Sequence, residues 1–168
     1  MRAKELSQQL REGEGGYLAQ RRGIVALGLA AAGSMGVIAL YQIGILKHLP
    51  EPALPGFDAD KVDASEEAYS HLQMGDAFIG LGSYAATMGL AAMGAKNRAE
   101  TQPWIPFALL AKTGADAAQA ARLTVDQWKK HKAFCFWCLL AAAATFAALP
   151  LAVPEALEAL HQVRKKLD

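Results

Sequence analysis

At 168 residues the chain is sized for one domain, and 17 Lys and Arg against 16 Asp and Glu leave no net field that would draw it to nucleic acid. Charged residues make up 20 % of the whole, an ordinary figure for a soluble protein, but they avoid three runs, 23–46, 77–95 and 133–154. Apolar stretches of ~18–25 residues are long enough for a helix to cross a bilayer, so the pattern predicts a small multi-pass membrane protein.

The polar tail 1–22 is expected to be a short surface helix or a loose arm, broken at Gly15-Gly16. The first apolar run follows Arg21 and Arg22. It exceeds the ~7–15-residue core of a secretory signal, which argues for a retained span over a cleaved leader. Gly28, Ala32 and Gly36 recur every four residues and predict a face where a neighbouring helix approaches closely.

Residues 47–75 read as a loop, held extended by Pro50, Pro52 and Pro55 and turned at Gly56. Asp63 and Glu66 stand at capping-box spacing and predict a short surface helix through Glu67, Tyr69 and Leu72, with Val62, Tyr69 and Leu72 on its covered side. Asp58, Asp60 and Asp63 match no calcium loop, and a solvated acidic face is the expectation.

The second span begins after Asp76 and carries Gly80, Gly82, Tyr84 and Gly89. A turn at Lys96-Asn97-Arg98 leads to a third helix opened by Pro103, Trp104 and Pro106, whose apolar run 103–111 stops at Lys112. Lys112 and Asp116 lie four residues apart on one helix face. Either they neutralise each other, or Lys112 snorkels to the surface while Asp116 meets polar partners in the bundle.

Lys and Arg in the connections set the orientation. The N-terminal tail, the 96–98 turn and the C-terminal tail together hold ten, and the opposite side holds six. Both termini are therefore expected in the cytoplasm and the start of the last span on the outer side of the plasma (inner) membrane. The expected fold is all-α: a four-helix transmembrane bundle with a short surface helix in the first extracytoplasmic loop. The segments are a tail at 1–22, a membrane domain at 23–157 and a tail at 158–168.

Cys135 and Cys138, the only cysteines, form Cys-Phe-Trp-Cys at the head of the last run. Two thiols one helical turn apart can close a disulfide, and a helix N-terminus with Lys129, Lys130 and Lys132 upstream is expected to favour the thiolate. A four-sulfur zinc site needs a second pair, so no metal is expected. Two inert core cysteines remain the plain alternative to a membrane-embedded redox pair.

Taken together, the chain from about residue 23 to 157 resembles the vitamin K epoxide reductase family of membrane thiol oxidoreductases. The likeness rests on four spans, a loop with a short helix after the first, the segment from Asp76 through Gly80 to Tyr84, and Cys135-Phe-Trp-Cys138 at the outer start of the fourth span. The resemblance implies a quinone of the ubiquinone or menaquinone type held in the bundle, with Asp76, Gly80, Tyr84 and Trp137 around it. It also implies that Cys138 sits deeper and faces the quinone, while Cys135 exchanges with a thioredoxin-like thiol protein outside the membrane. Two departures stand out. The loop 47–75 has no cysteine where partner-coupled relatives carry a second pair, and Ala142 replaces the polar aromatic that some relatives place one turn beyond the second cysteine. Either a partner reaches Cys135 or Cys138 directly, or the chain is a non-catalytic scaffold or quinone-binding module that keeps the fold.

Overall fold

The computed structural model describes residues 3–70 and 72–167; Met1, Arg2 and Asp168, at the ends of the two expected tails, lie outside the described residues. Among the described residues the protein is all-helical, with α1 (Ala3–Glu12), α2 (Leu18–Gln42), α3 (Ala59–Asp63), α4 (Asp76–Ala92), α5 (Arg98–Thr101), α6 (Trp104–Asp126) and α7 (Phe136–Lys165). A 3₁₀ turn (Glu66–Tyr69) follows α3, and a π-helical turn (Gln127–His131) extends α6. The α1–α2 break falls at Gly15 and Gly16, both with positive φ, as does Tyr17. A left-handed stretch stops a helix because its backbone cannot continue the i to i−4 ladder.

Of the four long helices, α2 and α7 are long and apolar enough to cross a membrane. Only a third of the most apolar stretch of each is buried, and large side chains such as Leu29 (61 % exposed) and Leu157 (59 %) face outward. A core helix of a soluble protein would hide those surfaces. The helices start and stop away from the expected segment boundaries: α2 begins at Leu18, inside the predicted N-terminal tail, and α7 runs unbroken through Pro150 and Pro154 to Lys165.

Helix α2 packs against α4 and α7, and α6 packs against α7 and more lightly against α4. The close-packing seam lies mainly on α7, where Ala141, Ala144, Ala148, Ala152, Ala156 and Ala159 are buried at three- and four-residue intervals. Small side chains at this spacing let two helix backbones approach. The stripe predicted on α2 holds at one place. A Cβ on Gly28 would stand 2.6 Å from Met88 Cγ, whereas one on Gly36 would meet nothing within 4 Å.

Two arginines counted from sequence as flanking charges are interior. Arg21 is 3 % exposed and donates to the carbonyls of Ala91, Ala92, Met93, Gly94 and Ala95, closing the C-terminal end of α4. The last carbonyls of a helix have no intrahelical partner, and a cation there also answers the negative end of the helix dipole. Arg98 is fully buried against Glu155 of α7. Of the ten charges assigned to one side of the membrane, these two therefore act in packing rather than at a lipid surface.

The loop after α2 departs from the capping-box expectation. Its helix, α3, is earlier and shorter, capped by Asp58, whose side chain accepts from Lys61 N at 3.0 Å. Asp63 ends α3 and is buried, and the segment from Glu66 forms only the 3₁₀ turn. Of the three side chains expected on the covered face, Val62 is buried, but Tyr69 is 37 % and Leu72 83 % exposed. Tertiary demand for Asp63 in the interior overrides its local capping propensity.

Candidate redox site

Helix α7 begins immediately after Cys135. Lys132, at a left-handed φ of 53°, ends the π-helical turn and redirects the chain. Cys135 then serves as the N-cap, its sulfur accepting from Cys138 N at 3.2 Å. Sulfur thus occupies the place of the usual oxygen cap and answers an orphan amide of the first turn. The Cys135 amide donates to Gln127 Oε1 at 2.9 Å, so the π-helical turn grips the cap from the other side.

The loop is stapled over this point. Asp58 N donates to Phe134 O at 3.0 Å and Phe134 N to Gly56 O at 2.8 Å, a two-bond bridge one residue before the cysteine pair. The bridge brings α3 down on Cys135, which is 0 % exposed in a cluster with Ala59, Val62, Ala133 and Ile38. It also delivers Asp63 to the thiols. Cys138 Sγ lies 3.5 Å from Asp63 Oδ1, and ligand atoms of Asp63, Cys135 and Cys138 all fall within 4.8 Å of one another. Asp63 is 2 % exposed and its Oδ2 has no hydrogen-bond partner among the described residues. Burial, reinforced by the charges of Asp76 and Glu51, pushes its carboxyl up to about 6 against the lowering effect of the thiol contacts.

This surrounding differs from the expected one. The group nearest the thiols is an acid. Lys130 Nζ instead stands 3.6 Å from both Glu67 and Asp126, and Lys132 lies over the Trp128 ring at 5.9 Å. These two ammonium groups are drawn to other partners, so the thiolate support expected from them is weaker than the sequence spacing suggests. The three loop acids also part company. Asp58 caps α3, Asp60 contacts His48 Nδ1 at 2.7 Å and the Leu49 amide, and only Asp63 reaches the cysteines.

Cys138 opens onto a cavity of about 430 Å³ between α2, α4, α6 and the loop. Asp63, Asp76, Gly80 and Tyr84 share its wall, and Met35, Ile38 and Ile79 add apolar surface. The volume lies in the range of small-molecule sites, and the wall is mixed: apolar at Met35, Ile38 and Ile79, charged at Glu67, Arg122, Asp126 and Lys130. The apolar part suits a flat ring bearing carbonyl oxygens. Gly80 matters for shape: a Cβ there would stand 2.9 Å from Met35 Sδ. Asp76 Oδ1 accepts from Gln42 Nε2 at 2.8 Å, and Tyr84 Oη pairs with Thr145 Oγ1 at 3.1 Å. Trp137 is absent from this wall. Its Nε1 donates to Pro50 O at 2.7 Å, which ties the start of α7 to the loop.

Lys112 and Asp116 form a mutual pair, the first of the two arrangements the sequence leaves open, while Asp116 also meets the polar partners of the second. Lys112 Nζ is 2.6 Å from each carboxylate oxygen, and Ser83 and Thr87 hydroxyls donate to the carboxylate at 3.0 and 2.9 Å. Ser83 and Asp116 also line the cavity.

Asp63, Gln127 and Gln42 carried no sequence signal for the site. The spacing of Asp63 and Glu66 marks a helix cap, and nothing in a single chain shows that a loop residue and a helix start 72 positions later meet.

The model of the vitamin K epoxide reductase family matches residues 23–153, which covers the loop, the cavity walls and the cysteine pair. Neither a curated protein nor a solved structure matches the chain.

Proposed function

Because the chain belongs to the vitamin K epoxide reductase family, we propose that it is a membrane thiol–disulfide oxidoreductase that couples Cys135 and Cys138 to a quinone held beside them. The observation that carries this reading is the position of Cys138 on the wall of the 430 Å³ cavity, next to its partner thiol and shared with Asp76, Gly80 and Tyr84. A bound quinone supplies a two-electron, two-proton acceptor. The chain's own residues do the rest. Met35, Ile38 and Ile79 would give the ring apolar contacts, and Asp76 and Tyr84 would supply polar groups on the same wall.

The four long helices would span the plasma membrane with both termini in the cytoplasm. Outward-facing apolar side chains on α2 and α7 support burial in lipid. On this reading the loop 47–75 and the cysteine pair lie outside, where a thioredoxin-like protein exchanges with Cys135. That exchange requires the loop to lift, since Cys135 is covered by Ala59 and Val62.

The same cover, with no other cysteine in the chain, favours a second reading: a quinone-binding scaffold without thiol chemistry. Reduction of a soluble quinone analogue by purified protein with added dithiol separates the two. The enzyme reading expects activity that is lost in Cys135→Ser and in Cys138→Ser. Equal activity in the double serine variant would leave only the scaffold.

A further inference from the structure

The buried carboxyl of Asp63 is unexplained by packing. An aspartate 2 % exposed, with one oxygen lacking a hydrogen-bond partner among the described residues, is costly to bury, and an apolar residue would fill the space at less cost. Its placement is also deliberate in construction. The Phe57–Phe134 bridge, the Asp58 cap of α3 and the Gln42 Nε2 contact to Asp63 O at 3.4 Å together hold it at the thiols and on the cavity wall.

We propose that Asp63 is a catalytic base of this site, taking the proton of the Cys138 thiol as the pair closes and passing it into the cavity. This inference rests on the thiol–disulfide reading above. Closure breaks two S–H bonds and forms one S–S bond, releasing two electrons and two protons to the quinone. Asp63 carries one of those protons and ends the cycle ionised, as it began. The geometry for the first transfer is present, with the Cys138 thiol donating toward Asp63 Oδ1 at 3.5 Å. A carboxyl held up at about 6 is ionised at neutral pH, yet is a better base than an exposed aspartate. The titratable groups facing it are Asp76 from α4, Glu51 from the loop, and Cys135 and Cys138 from the start of α7.

A thiol oxidant that needs no quinone isolates this step. Quinone-free, fully reduced protein is mixed with diamide between pH 5 and 8, and disulfide closure is followed by quenching with an alkylating agent and intact mass. The wild-type rate is expected to rise through pH 6 as Asp63 ionises. Asp63→Asn should keep only the steady rise of the thiolate fraction with pH, lose the inflection near pH 6, and slow by about tenfold or more at pH 7.5, the lower part of the range for a general base. A carboxylate acting only as a neighbouring negative charge predicts the opposite: its removal favours the thiolate, and Asp63→Asn would be faster than wild type. A faster or unchanged Asn variant overturns the proposal. Asp63→Ala with added formate provides a second test, in which recovery of the rate supports a missing base and no recovery, in protein of unchanged melting temperature, counts against it. Because diamide replaces the quinone, failure of quinone reduction with this pH profile intact would sink the quinone reading and leave the role of Asp63 standing.

Discussion

Arg98 and Glu155 form a two-bond ion pair in the closed interior, Nε to Oε1 at 2.8 Å and Nη2 to Oε2 at 2.6 Å, with neither side chain more than 3 % exposed. Arg98 Nη1 donates to the carbonyls of Leu90, Ala91 and Met93, so one guanidinium joins the end of α4 to the middle of α7. Glu155→Ala should cost about 3–5 kcal/mol, because it strands a buried cation. Replacing both partners with apolar residues should cost less. Chemical unfolding of the single and double variants in detergent checks the order, and a double variant worse than either single would refute it.

Lys112 and Asp116 should behave as a coupled pair in the same way. Asp116 also accepts from Ser83 and Thr87, so Asp116→Ala leaves the ammonium with only these two hydroxyls and no counter-charge. The coupling in a double-mutant cycle is expected within about 0.5–3 kcal/mol. Strict additivity of the thermal shifts would show that the two side chains do not interact.

Asp63 should make stability depend on pH. Its folded-state carboxyl is raised from 3.8 to about 6, so the folded protein holds this proton more tightly than the unfolded chain does. The corresponding stability is fully present below about pH 4 and is lost as pH rises through about 6. Asp63→Asn should therefore be more stable than wild type at pH 7.5, by on the order of 2 kcal/mol, with the advantage fading below pH 4. Melting curves at pH 4 and 7.5 test this, and a gap that widens toward acid would contradict it. A more stable but slower variant is the expected signature of a residue kept for chemistry.

The proposed topology makes a direct demand on accessibility. In a background with Cys135 and Cys138 changed to serine, Glu66→Cys should react with a membrane-impermeant thiol reagent in intact cells stripped of their outer wall, and Asn97→Cys should react only after lysis. Both positions are exposed, so burial cannot mimic the result. The reverse pattern would invert the protein and move the redox pair to the reducing side.

The sequence by itself determined the helical class, the order of the long helices along the chain though not their ends, and the cysteine pair at a helix start. Each is a local property: apolar run length, the punctuation of Gly and Pro, and two thiols three positions apart. The Lys112–Asp116 pair was legible for the same reason, since i and i+4 meet on any helix. Tertiary structure alone decided what surrounds the thiols. Asp63 and Gln127 carry no local mark of a site, and the lysines beside the cysteines, near in sequence, turn to Glu67, Asp126 and Trp128 instead. A capping-box spacing and a flanking arginine looked like surface features because local rules assume solvent. Folding placed Asp63 under the loop bridge and Arg21 and Arg98 against helix ends, where unpaired carbonyls and a buried carboxylate outweigh hydration.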